Sequence, residues 1–125
     1  MLDTNLDVEK LKKLQFKIMK DVAASALIPL MRIGDQLGLF QTLSEKGPMT
    51  SKRFAEEAKV DERYLREWLY ALSATDFVSY DGEKEKFSLS PEQKAVFADE
   101  EGPANMLGAY EVLAGQVYAE EKVLE

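Results

Sequence analysis

The sequence predicts a mainly α domain: a winged helix-turn-helix with a long N-terminal helix, a two-stranded wing and a C-terminal helix. Two helical patterns, at residues 51–58 and 62–75, lie on either side of a short break that ends at Asp61. Thr50 or Ser51 can cap the first helix and Asp61 the second, because a side-chain oxygen accepts a hydrogen bond from an unpaired amide of the first turn. The second helix carries apolar residues at the spacing of one buried face: Leu65, Trp68, Leu69 and Leu72.

A β-hairpin is predicted directly after the second helix. Phe77-Val78 leads into a short strand, and Asp81-Gly82 supplies a turn that is expected to need a positive φ. Phe87 and Leu89 alternate on the returning strand. Because a helix-turn-helix followed by a hairpin is a winged helix, residues 48–89 are the unit around which the chain is organised.

The N-terminal part, residues 1–47, begins with a polar segment over residues 1–8 that is expected to fray. A long helix is predicted from Val8 to Leu37. Its first half has an apolar stripe formed by Leu11, Leu14, Ile18 and Val22. A second stripe is formed by Lys10, Lys13, Lys17 and Lys20. The lysines are interpreted as a solvated face, with a site for an anionic partner as the alternative.

The second half of this helix is apolar on every side, since only Ser25 is polar between Val22 and Met31. A helix of this kind must be covered all round. We therefore predict a homodimer through the N-terminal helix, with Leu27 and Ile28 as candidate interface residues; a core helix within one chain is the alternative. Pro29 removes one backbone amide and is expected to kink the helix.

A short helix follows, with Leu39, Phe40 and Leu43 predicted to point inward. Gly47 suits its C-cap, and Pro48 blocks its continuation.

The C-terminal part, residues 90–125, opens with a capping box: Ser90 at the N-cap, then Pro91, and Gln93 at the third position. That helix is expected to end near Phe97. A last helix is predicted from Ala104 or Asn105, with one apolar face formed by Met106, Leu107, Tyr110, Leu113 and Val117. The pattern is still helical at Glu125, which suggests a fragment of a longer chain.

The composition indicates one domain over residues 1–125, with 46% apolar residues to form its core. Cysteine and histidine are both absent, so disulfides, Cys/His zinc sites, cysteine nucleophiles and histidine bases are excluded. The longest apolar run, residues 22–31, is too short to span a bilayer. We expect a cytoplasmic protein with no membrane partner.

The search for a catalytic site finds no candidate residues. The seven glycines never form a GxGxxG or GxxxxGK[ST] loop. The carboxylate pairs Glu56-Glu57 and Glu100-Glu101 are sequence neighbours, which point apart on a helix and so are not placed for acid–base chemistry. We predict no catalytic, cofactor-binding or metal-binding residues in this chain.

Nucleic-acid binding is disfavoured by the distribution of charge. The net charge is −7, and residues 50–86 carry seven Lys/Arg against nine Asp/Glu. On the second helix, Arg63 and Arg66 are offset by Glu62 and Glu67, whereas a DNA-reading helix presents basic and amide side chains to bases and phosphates. A DNA-binding transcription regulator is for this reason kept only as the alternative to the function that the family resemblance implies.

One family resemblance covers roughly residues 15–115. Residues 33–80 read IGDQLGLFQTLSEKGPMTSKRFAEEAKVDERYLREWLYALSATDFVSY and are followed by a strand ending in FSLSPEQ. This run resembles the N-terminal winged-helix domain of class I S-adenosylmethionine-dependent methyltransferases that act on small molecules. Its most specific part is Arg63-Tyr64 together with Arg66-Glu67-Trp68-Leu69.

The resemblance implies a domain that dimerises through its N-terminal helices and roofs the active site of a following Rossmann-like domain. S-adenosylmethionine would belong to that second domain, whose Gly-rich loop is not among these residues, so no cofactor is expected in this chain. The leading hypothesis is therefore a dimerisation and substrate-lid domain. A free-standing adaptor is the third possibility, and the reading frame beyond Glu125 would distinguish it from the first.

Overall fold

The computed structural model of the chain describes residues 4–125, so residues 1–3 of the segment that is expected to fray lie outside the described part. The elements, in chain order, are α1 (Val8–Ser25), α2 (Leu27–Gln36), α3 (Leu39–Lys46), α4 (Ser51–Ala58), α5 (Glu62–Ala74), β1 (Ser79–Asp81), β2 (Lys86–Ser88), α6 (Pro91–Phe97) and α7 (Leu107–Leu124). The predicted fold class is confirmed: the described residues are mainly helical and contain one two-stranded antiparallel sheet.

The helix-turn-helix unit is α4 and α5, with the predicted boundaries met to within one residue. The Thr50 hydroxyl accepts a bond from the Arg53 amide at 3.2 Å, so Thr50 is the cap of α4. Ser51 instead donates its hydroxyl to a Glu62 carboxylate oxygen at 2.8 Å. Asp61 caps α5, as predicted, by accepting two amides of its first turn.

The wing is the antiparallel pair β1–β2, in which Tyr80 lies opposite Phe87. The prediction of a positive φ at Asp81-Gly82 is wrong, because the left-handed residue of this loop is Glu85, with φ 53°. The reason is that the Asp81 carboxylate accepts bonds from the amides of Glu83 and Lys84 at 3.0 and 3.3 Å and so forms the turn itself.

The long N-terminal helix is interrupted, and α1 and α2 are joined by the single residue Ala26. Pro29 was predicted to kink this helix, and the helix is interrupted three residues before it. Proline has no amide hydrogen, so the carbonyl of Ser25 lacks its helical donor, and the Ala26 amide turns to the Ala23 carbonyl at 3.2 Å. The predicted single helix to Leu37 is corrected to two helices, and Gly38, at φ 65°, turns the chain into α3.

The core lies between α2, α3, α4, α5, the wing and α6. Phe40 packs on Trp68 and Phe97, with ring centroids 5.3 and 5.2 Å apart. The Trp68 indole N–H donates to the Leu30 carbonyl at 2.8 Å and ties α5 to α2. Trp68 and Leu69 are 5% and 0% exposed, which confirms their predicted place in the core.

Gly47 is the C-cap of α3, as predicted, and the inward side chains of α3 are Leu39, Phe40 and Leu43. The capping box of α6 is also confirmed: Ser90 and Gln93 exchange side-chain and backbone hydrogen bonds.

The last helix begins at Leu107, two to three residues later than predicted. The Asn105 side chain accepts a bond from the Leu107 amide at 3.0 Å, and the Met106 amide donates to the Val96 carbonyl at 2.9 Å, so the preceding residues are held outside the helix. The predicted apolar face of this helix is divided between buried and exposed side chains. Leu107 is buried and Tyr110 half-buried, but Met106, Leu113 and Val117 are exposed because α7 packs chiefly on α2.

Candidate functional site

Helix α1 is an arm whose side chains lack cover. It lies wholly within the described part of the chain, and none of its residues is buried. Phe16, Met19 and Val22 are 64%, 68% and 63% exposed. Isolated helices of this length are marginal in water, and most helical stability comes from packing an apolar face. The apolar face of α1 is therefore without such packing in the described part of the chain.

The two sides of α1 differ in character. At 3.6 residues per turn, Leu11, Ile18 and Val22 fall on one side and the stripe of lysines falls on the other. Two lysines form ion pairs within the helix, Lys12 with Glu9 at 3.6 Å and Lys17 with Asp21 at 3.1 Å. The helix is thus amphipathic, and its apolar side is the one that needs cover.

An apolar groove lies between α2 and α5. We call it the α2–α5 groove; it has a volume of about 460 Å³ and is lined by Leu30, Ile33, Leu37, Leu39, Val60, Asp61, Tyr64, Leu65, Glu67 and Trp68. Its walls are held in place by the hydrogen bond from Trp68 to Leu30. Ile33, Leu37 and Tyr64 are exposed along it. The two carboxylates of the groove, Asp61 and Glu67, both belong to the α5 side.

A second apolar surface is formed where α7 meets α2. We call it the α7 patch; its cavity of about 370 Å³ is lined by Ile28, Leu113, Gln116, Val117, Glu120, Val123 and Leu124. Beside it, Arg32 on α2 binds Glu111 on α7, with an Nε–carboxylate distance of 3.2 Å. Arg32 donates hydrogen bonds to Glu111 first and then to Tyr118, and these bonds raise the pKa of Arg32. The pair of Arg32 and Glu111 ties α7 to α2.

The outward face of the winged unit is the candidate nucleic-acid interface of the alternative hypothesis. Arg66 lies 3.7 Å from the Glu62 carboxylate, and Arg53 lies 4.0 Å from Glu57. Lys46 also binds Glu57, which lowers the pKa of that carboxyl. Pairing with local carboxylates reduces the positive charge that phosphate contacts require. Arg53 and Arg66 on this face, and Lys46 beside it, are thus paired with carboxylates of the same domain.

The described residues offer no metal centre, because residues 4–125 contain no cluster of three or more His, Cys, Asp or Glu side chains that could hold an ion. None of their helices is long and apolar enough to cross a bilayer. Two glycines serve local structure: Gly38 has a positive φ, and a Cβ on Gly34 would lie 2.6 Å from the rings of Phe40 and Trp68. The strand pair is an antiparallel hairpin, so the described residues contain no strand, Gly-rich turn and helix of the kind that binds dinucleotides.

The side chains of the two predicted interface residues have different surroundings in the structure. Leu27 packs half-buried against the core, whereas Ile28 lines the α7 patch. The α2–α5 groove was not predicted, because its residues come from elements whose relative placement a single sequence does not give. The excess of apolar positions on α2 was its only sequence signal.

The sequence and the fold were compared with those of known proteins. The model of the Rv2258c-like winged HTH domain family matches residues 23–98. No curated protein matches the sequence of the chain.

The fold is similar to that of human N-acetylserotonin methyltransferase, solved with SAM, at a TM-score of 0.66 and 13% identity over 94% of this chain and 33% of that one. A putative O-methyltransferase from Nostoc punctiforme matches with a TM-score of 0.59 and 22% identity, over 82% of this chain and 29% of that one. The dimethyltransferase RosA from Streptomyces davawensis matches with a TM-score of 0.54 and 23% identity, over 85% of this chain and 28% of that one.

The chain spans about a third of the length of these solved proteins, so the likeness concerns one domain of each. At these identities the likeness establishes the fold, which is that of the N-terminal region of SAM-dependent methyltransferases. Because the family model covers more than half of the sequence, the chain belongs to the Rv2258c-like winged HTH domain family.

Proposed function

We propose that this chain is the dimerisation and substrate-lid domain of a SAM-dependent methyltransferase that acts on a small molecule. The observation that carries the proposal is the bare apolar side of α1, a helix with no buried residue. Soluble monomers seldom expose contiguous apolar patches above a few hundred Å². A two-fold pairing is the commonest way to cover a surface that complements itself.

The lid role is supported by the second uncovered surface. The α7 patch presents Leu113, Val117 and Leu124 on a helix that follows the winged unit. An apolar surface on this side can pack against a catalytic domain and exclude water from a bound substrate. The catalytic chemistry itself would belong to that domain.

The described residues, 4–125, do not fit S-adenosylmethionine. The hairpin is antiparallel, and Gly34 and Gly38 are taken up by helix packing and a chain turn. A methyl donor would therefore be held by the Rossmann-like domain in cis, and no step of methyl transfer is assigned to these residues. Reading the gene beyond the codon for Glu125 tests this part: the proposal predicts a strand, a Gly-rich turn and a helix, and a stop codon there would contradict it.

Dimerisation is tested by light scattering over a dilution series with one matched pair of variants. Val22→Asp places a charge on the apolar side of α1, and Ala24→Asp places the same charge on the lysine side two residues away. We expect Val22→Asp to raise the dissociation constant about tenfold or more, the effect of about 1.4 kcal/mol, and Ala24→Asp to change it little. A wild-type chain that stays a folded monomer of 14.1 kDa at all concentrations would contradict the proposal.

A further inference from the structure

We propose that the α2–α5 groove is a binding site for a small apolar cation of the arylalkyl amine class. Such a site is additional to the proposed lid and dimerisation roles and depends on neither of them. Three features of the groove support it: an apolar cavity of the size of a ligand, walls that are already held in place, and charged side chains of one sign beside aromatic rings.

The groove has the size and the lining of a small-molecule site. Its volume of about 460 Å³ lies within the range of about 300–1,000 Å³ that is common for ligand pockets. Leu39, Leu65 and Trp68 are buried and form its floor. Ile33 and Leu37 are exposed along it. An apolar ligand in the groove would therefore remove apolar surface from water on both sides of the contact.

The two walls of the groove are tied together in the free chain. The Trp68 indole N–H on α5 donates to the Leu30 carbonyl on α2 at 2.8 Å, so the one polar group of this side chain already has its partner. The indole also packs on the Phe40 ring, with centroids 5.3 Å apart. Trp68 therefore offers the groove carbon atoms in a fixed position. A preformed site of this kind loses little conformational entropy when a ligand binds.

The charged side chains that line the groove are both carboxylates, Asp61 and Glu67, and no lysine or arginine of the described residues lines it. Among residues 4–125, Glu67 forms no salt bridge. Asp61 accepts the amides of Arg63 and Tyr64 through Oδ1, so its second oxygen can accept a further donor. A cation in the groove would be attracted by both carboxylates, and an anion of the same shape would be repelled by them.

The aromatic rings beside these carboxylates favour the same class of ligand. Tyr64 and Trp68 both line the groove, and the Tyr64 side chain is exposed. On α5, Tyr64 lies three residues before Glu67, which is the spacing of neighbours on a helix surface. A cation held by Glu67 would thus lie within reach of an aromatic face, which attracts positive charge.

The fluorescence of Trp68 reports binding directly, because the chain contains a single tryptophan. The probe is para-bromophenethylamine, whose bromine quenches indole fluorescence on contact and whose amine is protonated at neutral pH, like that of lysine. Its neutral match is para-bromophenethyl alcohol, and its anionic match is para-bromohydrocinnamate. We expect saturable quenching by the amine, with an affinity about tenfold above that of the alcohol, and the weakest binding for the acid. The preference for the amine should shrink at high salt.

Single substitutions at exposed positions assign the binding to the groove. Glu67→Gln should remove the preference for the amine and leave the affinity for the alcohol unchanged, since the apolar walls stay. Glu56→Gln removes an equal charge from an exposed position on α4 outside the groove, so this matched control should keep the preference. Leu37→Arg adds a positive charge to the groove and should weaken binding of the amine about tenfold or more. Circular dichroism confirms that each variant is folded.

The site would be overturned by the absence of saturable quenching below about 10 mM amine at two protein concentrations that differ about a hundredfold. Equal affinities for the amine and the alcohol would also overturn it, as would a preference that both Glu67→Gln and Leu37→Arg leave intact. These results are separate from those on the proposed function. A dimeric chain that does not bind the amine would overturn the site alone, and a monomeric chain that binds it would overturn dimerisation alone.

Discussion

Replacing Gly34 by alanine sets helix propensity against packing at one buried position. Gly34 lies inside α2, where alanine is favoured over glycine by about 1 kcal/mol in helix propensity. In this structure, however, a Cβ at position 34 would lie 2.6 Å from a ring carbon of Phe40 and 2.6 Å from one of Trp68. The two effects have opposite signs, so the sign of the measured change identifies the dominant one.

Packing should dominate because neither ring is free to move. Phe40 is fully buried and packs on Phe97, and Trp68 is held by its hydrogen bond to Leu30. Overpacking of a close-packed core costs about 1–3 kcal/mol. Two contacts of 2.6 Å place Gly34→Ala at the upper end of that range, about 2–3 kcal/mol. Setting that cost against the gain of about 1 kcal/mol in propensity, we expect Gly34→Ala to lower the free energy of unfolding by about 1–2 kcal/mol.

Urea unfolding at one fixed protein concentration measures this change, since association makes apparent stability depend on concentration. Gly115→Ala is the matched control: Gly115 lies inside α7, and apart from its chain neighbours and the backbone of its own helix no atom lies within 4 Å of an added Cβ. That variant should gain up to about 1 kcal/mol. If Gly115→Ala is stabilised while Gly34→Ala is as stable as the wild type, the contact of α2 with Phe40 and Trp68 is misplaced.

Three further predictions concern the core, one ion pair and nucleic acid. Leu69 is fully buried, so Leu69→Ala should cost about 2–5 kcal/mol in urea melts, and a loss below about 0.5 kcal/mol would mean that its face is misassigned. Lys46 lowers the pKa of Glu57, so their pair stabilises the fold above the unfolded-state pKa of Glu57, and that contribution is lost as the pH falls through the lower folded-state value. The stability difference between wild type and Glu57→Gln should therefore be seen near neutral pH and shrink toward about pH 3; a difference that grows in acid would refute this. Mixed-sequence duplex DNA should bind at about 10⁻⁴ M or more weakly in low-salt anisotropy titrations, and a nanomolar complex with a specific duplex would favour the regulator hypothesis.

The winged unit could be predicted from the sequence because its signals are local. Asp61 and Ser90 mark helix starts through bonds to amides two or three residues away. The face of α5 follows from 3.6-residue periodicity, and the buried positions Leu65 and Leu72 lie on it. Features of this kind depend on neighbours in sequence, which a single chain supplies.

The surfaces that matter for function depend on distant contacts and were predicted less well. Periodicity identified apolar positions on α1 and α7, but it did not show that Val117 would be exposed while Ala114 is buried. Pro29 predicted a kink, yet the break lies at Ala26 because the missing proline amide frees the carbonyl one turn earlier. To predict the α2–α5 groove, one must know how α2 and α5 lie relative to one another, and periodicity within each helix does not give this.

Hydrogen exchange of the α1 amides at several protein concentrations tests most directly whether a second copy covers this helix. With its apolar side bare, an 18-residue helix is marginal and should exchange quickly, whereas a docked helix should be protected. We expect protection of residues 8–25 at high concentration that disappears on dilution, in step with the loss of dimer mass, while α5 stays protected throughout. Exchange in α1 that is the same at every concentration, whether fast or slow, would contradict the proposal that dimerisation covers this helix.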